Sequence, residues 1–236
     1  MAKSGGVSRD HARSISAKAV FAGLHLLSVL LCAWLLMGGW VWLGQMTGLK
    51  LSLSDSFRGT LLLACALLYF ARHLLTLFYL LKRKLDYSEV FGLALFMGVF
   101  EIGFLLLGAG ALRETAIPFG PLDVAGIALV LAGSFLNSYS ELQRHWWKGD
   151  GANRGHCFTG GLFACSMHIN YFGDTVLFTG WALLTLSAIA FAVPVFMAVS
   201  FVFFHIPALD AYLSDRYGAE FDAYAARTKK FMPFVY

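Results

Sequence analysis

Two short stretches concentrate residue types that are costly near a bilayer and useful in chemistry. The first is Ser140-Glu-Leu-Gln-Arg-His-Trp-Trp-Lys148, and the second runs from Thr159 through His168, Asn170, Tyr171 and Gly173 to Asp174. Arg144 and Lys148 are four residues apart and so share one helical face. Two cations on one face suit a phosphate-bearing ligand, because Arg makes bidentate phosphate contacts. The same residues also suit a plain positive anchor at a membrane surface, and charge alone favours that plainer role. Asn170 and Asp174, again four apart, supply an amide and a carboxylate able to accept from a carboxamide or a ribose hydroxyl, and Tyr171 can stack or donate. Gly160-Gly161 permits a sharp bend or a close backbone approach.

The elements that must position these residues are membrane helices. The chain has 236 residues, of which 58% are hydrophobic and 14% charged, with a mean hydropathy of +0.68. A soluble domain carries about a quarter charged residues. No cleavable signal is evident, since a polar N-terminal stretch runs straight into a long apolar segment. A span needs about 20 mostly apolar residues. Segments of that kind lie at 18–43, 59–81, 88–111 and 121–139, and a stretch at 171–206 is long enough for two spans turning back near Pro194. The expectation is an all-α, polytopic helical bundle of about six transmembrane helices, the last two a hairpin, followed by a cytosolic C-terminal tail. It forms one integral membrane domain over 1–236.

Charge orients this layout. Lys3, Arg9, Arg13, Lys18, Lys82, Arg83, Lys84, Arg144, Lys148, Arg154, Arg216, Arg227, Lys229 and Lys230 fall on one side of a six-span arrangement, and Lys50, Arg58 and Arg113 on the other. The positive-inside rule then predicts that both termini and the motif loop are cytoplasmic. The net charge of +4 needs no nucleic acid to explain it. Cys32, Cys65, Cys157 and Cys165 are scattered, and no disulfide is expected on the cytosolic side.

Arg72 stands inside the second span and Glu101 near the middle of the third. A charge at the centre of a membrane helix costs roughly 2.5–3.5 kcal/mol on insertion scales, so both must face the bundle interior. Sign and depth make them partners, either as a structural ion pair or as lining of a ligand cavity. His25 and Asn137 read as hydrogen-bonding packers. A metal site built from His145, His156, Cys157, Cys165 and His168 lacks the familiar zinc spacings. Neither a Gly-x-Gly-x-x-Gly turn nor a phosphate-binding P-loop is present.

The block Glu141-Leu-Gln143-Arg144-His-Trp-Trp-Lys148, the set His168, Asn170, Tyr171, Gly173, Asp174, and the closing segment from Arg216 to Tyr236 carry a resemblance. They are similar to the C-terminal half of the steroid 5α-reductase and sterol reductase superfamily, and most of all to its small bacterial members, the family DUF1295. The similarity runs from about residue 69 to the end, and it implies substrate-side helices over 1–120, a cofactor-binding half over 121–236 and a place in a bacterial inner membrane. It implies an NADPH-dependent reductase of a conjugated C=C bond in a lipophilic, steroid-, sterol- or isoprenoid-like substrate. Cofactor roles are implied for Glu141, Arg144, Lys148, His168, Asn170, Tyr171, Asp174, Tyr217, Tyr224, Arg227 and Tyr236. Tyr69 resembles the tyrosine of a Tyr-Phe-x-Arg segment and is the first choice of catalytic acid, with Glu101 second. The chain departs from the pattern at Met167 and Ile169, where the family has Arg and Pro, and lacks the Gln-Glu pair of the steroid enzymes. Isoprenylcysteine carboxyl methyltransferases share the fold and a similar tail but use S-adenosylmethionine, which makes them the alternative. Membrane lipids and the lipophilic substrate are the expected partners, and the oligomeric state stays open.

Overall fold

A computed structural model describes residues 13–236, and no strand is formed among them. Lys3 and Arg9 therefore lie outside the described residues. Helices α1 (Ile15–Trp34) and α2 (Trp40–Thr47) form a single 33-residue apolar rod, bent where Gly38 takes φ +116°. Helix α3 (Ser56–Leu75) continues through a π-helical turn to Leu80, α4 covers Tyr87–Gly108 and α5 covers Pro121–Gly149. Helix α6 covers Ile169–Leu184, while α7 (Ala192–Ser200) and α8 (Ile206–Tyr217) join through another π-helical turn, and α9 (Ala219–Arg227) closes the fold. Five of these segments, Ile15–Thr47, Ser56–Leu80, Tyr87–Gly108, Pro121–Gly149 and Ala188–Tyr217, are long and apolar enough to cross a membrane. The chain is a polytopic helical membrane bundle. Its outer faces carry exposed Leu27, Phe91, Val99, Phe203 and Phe204, the side chains a lipid-facing surface needs.

Two boundaries differ from the sequence-based expectation. The fourth span does not stop at 139: α5 runs on to Gly149, so Glu141, Arg144 and Lys148 ride on its last turns. The chain also reverses at Thr185–Ser187 rather than near Pro194. Leu186 takes φ +50° there, and Thr185 Oγ1 donates to the Ala182 carbonyl while accepting from Ser187 N. Pro194 sits in the first turn of α7, where a missing N–H costs nothing. The fifth expected span is thus α6 alone, with 16 residues. At 1.5 Å per residue it is about 24 Å long, short of the roughly 30 Å hydrocarbon core.

Helix α6 is held instead by α5. Gly126 and Gly133 on α5 face Gly173 and Gly180 on α6, each pair seven residues apart. A Cβ at Gly133 would stand 2.3 Å from Leu177 N, and one at Gly180 would stand 2.6 Å from the Gly126 carbonyl oxygen. Only glycine allows this backbone contact, the small-residue packing that substitutes for a hydrophobic drive inside a bilayer. Its functional result is register: Asn137 on α5 is brought against Asn170 and Asp174 on α6.

The end opposite the motif is clasped by Arg58. This side chain is 1% exposed and donates to Asp55, Asp123, the Leu184 carbonyl and the Ile117 carbonyl. Asp55 also caps α3 by accepting from Arg58 N at 3.0 Å. Arg58 thus ties α3, α5 and the end of α6 together, and is no free surface cation. Between the ends, Tyr69, Phe100, Phe104, Phe178 and Trp181 pack ring against ring as the apolar core.

Candidate active site

Arg72 and Glu101 do not pair, which corrects the partnership expected from sign and depth. Arg72, on the last turn of α3, points toward α5 and α6. It donates to Ser138 Oγ at 3.0 Å, to Asn137 Oδ1 at 2.6 Å and to Asp174 Oδ1 at 3.1 Å. Glu101, on α4, faces α1, where His25 and Ser28 take up its two oxygens. The aromatic ring of Tyr69 stands in the layer between them, 5.7 Å from the Arg72 guanidinium carbon and in contact with Phe100. Depth alone could not reveal that the two charges lie on different faces of the core.

Arg72 opens onto a cavity of about 140 Å³ lined by Tyr69, Arg72, His73, Thr76, Asn137 and Asp174. Its Nη1 is buried and has no hydrogen-bond partner among the described residues. An unmet guanidinium donor costs on the order of 1–3 kcal/mol or more, and such a group is a ready site for an acceptor from a ligand.

A column of polar contacts leads from this cavity to the motif end. Asn137 Nδ2 donates to the Asn170 carbonyl at 3.0 Å, Asn170 Nδ2 donates to Glu141 Oε1 at 3.0 Å, and Arg144 donates to Glu141 Oε2. Arg144 keeps 43% of its side chain exposed and lies over the Phe163 ring. One turn on, exposed Lys148 donates to the Tyr217 hydroxyl at 2.7 Å. Gly161 closes the column from the side. It takes φ +56°, and a Cβ there would press on the Gln143 side chain, whose Oε1 accepts from Leu162 N. The expectation of a bend and a close approach at the double glycine is met at this residue.

The α6 motif divides between two faces. Asn170 and Asp174 look toward α5 and the column. His168 and Tyr171 look toward α7 and α8, with His168 Nε2 2.8 Å from Asp210 Oδ1 and the Tyr171 ring stacked on Phe201 at 4.6 Å. Asp210 also pairs with Lys230 at 3.2 Å. The tail is bound there through its backbone, Met167 N and His168 N donating to the Lys229 and Lys230 carbonyls. Met167 is 4% exposed and packs with Cys157, Phe221 and Tyr224 in a small second core. Tyr224 belongs to that core, its hydroxyl donating to the Phe163 carbonyl at 2.6 Å. Burial pushes both its phenol and the Cys157 thiol above their ordinary ranges, with Glu220 adding to the effect on Cys157. Arg227 and Tyr236 are exposed on the tail.

Of the residues expected at the site, Tyr69 and Asp174 line the cavity, Asn170, Glu141 and Arg144 form the column, and Lys148 with Tyr217 stands at its outer end. Glu101 lies behind the cavity wall. Sequence reasoning missed Asn137 as a site residue, along with Ser138, His73, Thr76 and Asp210. The adjacent polar pair Asn137-Ser138 in an otherwise apolar span, and the repeated seven-residue glycine spacing, were the available signals.

Residues 83–228 match the family model described as Protein of unknown function (DUF1295). No curated protein matches the chain.

Proposed function

The chain belongs to the DUF1295 family, and from that premise we propose that it is an NADPH-dependent reductase of a conjugated C=C bond in a lipophilic substrate. The observation that carries this reading is the cavity at the head of the polar column, where Arg72 Nη1 is an unmet donor beside Tyr69 and Asp174. The donor set suits the cofactor's chemistry. Arg72 can give to a carboxamide oxygen, and Asp174 and Asn137 can accept from its NH₂ or from a ribose hydroxyl. The exposed faces of Arg144 and Lys148 meet phosphate. A cavity of about 140 Å³ is smaller than the roughly 300 Å³ of a pocket for a drug-sized ligand. It suits one ring, while the charged remainder of a dinucleotide belongs at the cationic mouth.

NADPH, when bound, supplies a hydride. The protein's own residues orient and polarise. Tyr69, its ring fixed by Phe100, Phe178 and Trp181, is placed to hydrogen-bond a substrate carbonyl through its hydroxyl. The same aromatic wall keeps water from the reacting carbons. Asp174, tied to Arg72 and held against α5 by the glycine seam, fixes the position of any group donating to it. His168 and Asp210 set the start of α6 and bind the tail over the motif, supporting the cofactor residues from outside. In this reading the cationic end faces the cytoplasm, where NADPH is available, and the membrane is a bacterial inner membrane.

The test is reduction of enone lipids, one steroidal and one isoprenoid, by the purified protein in lipid nanodiscs. The expected result is NADPH consumption matched by product two hydrogens heavier, lost in Asp174→Ala. Absence of NADPH-dependent reduction across such a panel, with methyl transfer from S-adenosylmethionine instead, would replace this reading by the methyltransferase.

A further inference from the structure

Helices α1, α3 and α4 enclose a second polar cluster that touches the cavity through one ring. Glu101 is 1% exposed, and His25 Nε2 lies 2.7 Å from its Oε1. Ser28 donates to Oε2 at 2.5 Å. The other nitrogen of His25, Nδ1, lies 2.6 Å from Nδ1 of His73, and His73 is part of the cavity wall. The cluster is thus a bonded chain, carboxylate to imidazole to imidazole, ending at the cavity.

With His25 neutral, hydrogen bonding sets the proton positions along it. Two ring nitrogens this close must hold one proton between them. If His25 gives its Nε2–H to the carboxylate, neutral His25 has only a lone pair at Nδ1, so His73 supplies Nδ1–H. That leaves Nε2 as the basic nitrogen of His73, a ring that lines the cavity. A carboxylate so buried is costly unless neutralised. Burial against the Phe21 ring works against an imidazolium at His73, and the carboxylates of Glu101 behind His25 and of Asp174 across the cavity are the charges that offset it. The groups around His73 are His25 from α1, Tyr69 and Arg72 from α3, Asn137 from α5 and Asp174 from α6. None of the cavity groups competes for its Nδ1 proton.

We infer that His73 is the proton-donating residue of the cavity, with His25 and Glu101 as positioning residues behind it. For its chemistry this rests on the reductase reading. Once hydride has been added at the β-carbon of an enone, the α-carbon takes a proton. The Nε2–H bond of His73 breaks, the α C–H bond forms, and the electron pair remains on Nε2. The neutral imidazole then regains a proton from solvent. Tyr69 keeps its own proton and only hydrogen-bonds the carbonyl oxygen. Glu101 thereby acts on the reaction without touching substrate.

The first test needs no cofactor. Histidine carrying the heavy nitrogen isotope is followed by magnetic resonance in nanodisc-embedded protein. Neutral His73 is expected as the Nδ1–H tautomer, taking its second proton at Nε2. Glu101→Gln keeps the shape of the chain but removes its charge, and should lower the His73 titration by about one to three pH units with the unfolding temperature unchanged. His73 found as the Nε2–H tautomer, or titrating identically in Glu101→Gln, overturns the inference. The second test uses NADPH and a steroid enone. His73→Gln should lower kcat by roughly a hundredfold or more with NADPH affinity retained, the scale of general acid catalysis. An unchanged kcat overturns the inference even if the titration behaves as expected. Failure of the wild-type protein to bind NADPH would instead overturn the reductase reading, and with it His73 as proton donor to an enone, while the titration result would stand.

Discussion

Arg72 is the side chain on which the site turns, and replacing it by leucine has a calculable cost. Arg72→Leu removes donated hydrogen bonds to Ser138, Asn137 and Asp174 and leaves the Asp174 carboxylate without its cation. Breaking a fully buried pair from one side costs about 3–5 kcal/mol. Asp174 keeps 24% of its side chain exposed and Arg72 11%, so water recovers part of the loss. The expected destabilisation is about 2–4 kcal/mol, drawn down from the buried-pair range by that exposure. Equilibrium unfolding in mixed detergent micelles reads it directly. The double variant Arg72→Leu with Asp174→Leu should lose less than the sum of its singles by about 1 kcal/mol or more, within the range of contacting pairs. Arg72→Leu combined with Glu101→Leu should be additive to within about 0.5 kcal/mol, because the two groups share no partner. Additivity for the pair with Asp174, or coupling for the pair with Glu101, would refute the assignment of partners on which the cavity's description depends.

Other consequences are as specific. Gly133→Ala should destabilise by at least about 1–3 kcal/mol, the cost of overpacking, because the new methyl meets α6 backbone 2.3 Å away; Gly23→Ala, with nothing within 4 Å, is the matched control and should unfold like the parent. Cys157 should alkylate far more slowly in the folded protein than after unfolding, since burial and Glu220 raise its thiol pKa and only the thiolate reacts. The raised value also gives stability that is complete below the ordinary thiol range and is lost as pH climbs through it, measurable as a falling unfolding midpoint that Cys157→Ser flattens. Arg144→Ala and Lys148→Ala should each weaken NADPH binding by about 1.5–3 kcal/mol, the range for hydrogen bonds to charged groups. The loss should be smaller for NADH at whichever cation meets the 2′-phosphate, and titration calorimetry of each variant with both nucleotides decides which that is.

The helical bundle was legible because it is written in composition and run length, which a bilayer reads almost directly. Three span boundaries fell within a few residues of the observed helices. The fourth did not, because α5 outlasts its apolar run: Glu141, Arg144 and Lys148 are good helix formers and extend it past the hydrophobic stretch. The reversal was misplaced at Pro194 because proline breaks a helix interior but is harmless in a first turn. Asn170 with Asp174, and Arg144 with Lys148, were paired by their four-residue spacing on one face of their own helix, whereas Glu141 was marked only by the resemblance. The Arg72–Glu101 pairing was read wrongly since depth along two helices says nothing about their rotation, and rotation here is set by Tyr69 and its aromatic neighbours. Asn137 was read as a packing residue because a neutral polar side chain in a span usually packs quietly, and His73 was overshadowed by the charge of its neighbour Arg72. The place of Asn137 comes from long-range register, fixed by glycines whose seven-residue repeat is visible only once α5 and α6 are laid side by side, and that of His73 from the packing of α3 on α1.

The central claim is that the polar column and its cavity hold a reduced nicotinamide dinucleotide. Calorimetric titration of the purified protein with NADPH and with S-adenosylmethionine tests it most directly. NADPH should bind saturably, with affinity reduced in Asp174→Asn and in Arg72→Leu, while S-adenosylmethionine gives no heat above dilution. Tight binding of S-adenosylmethionine with none of NADPH would contradict the account.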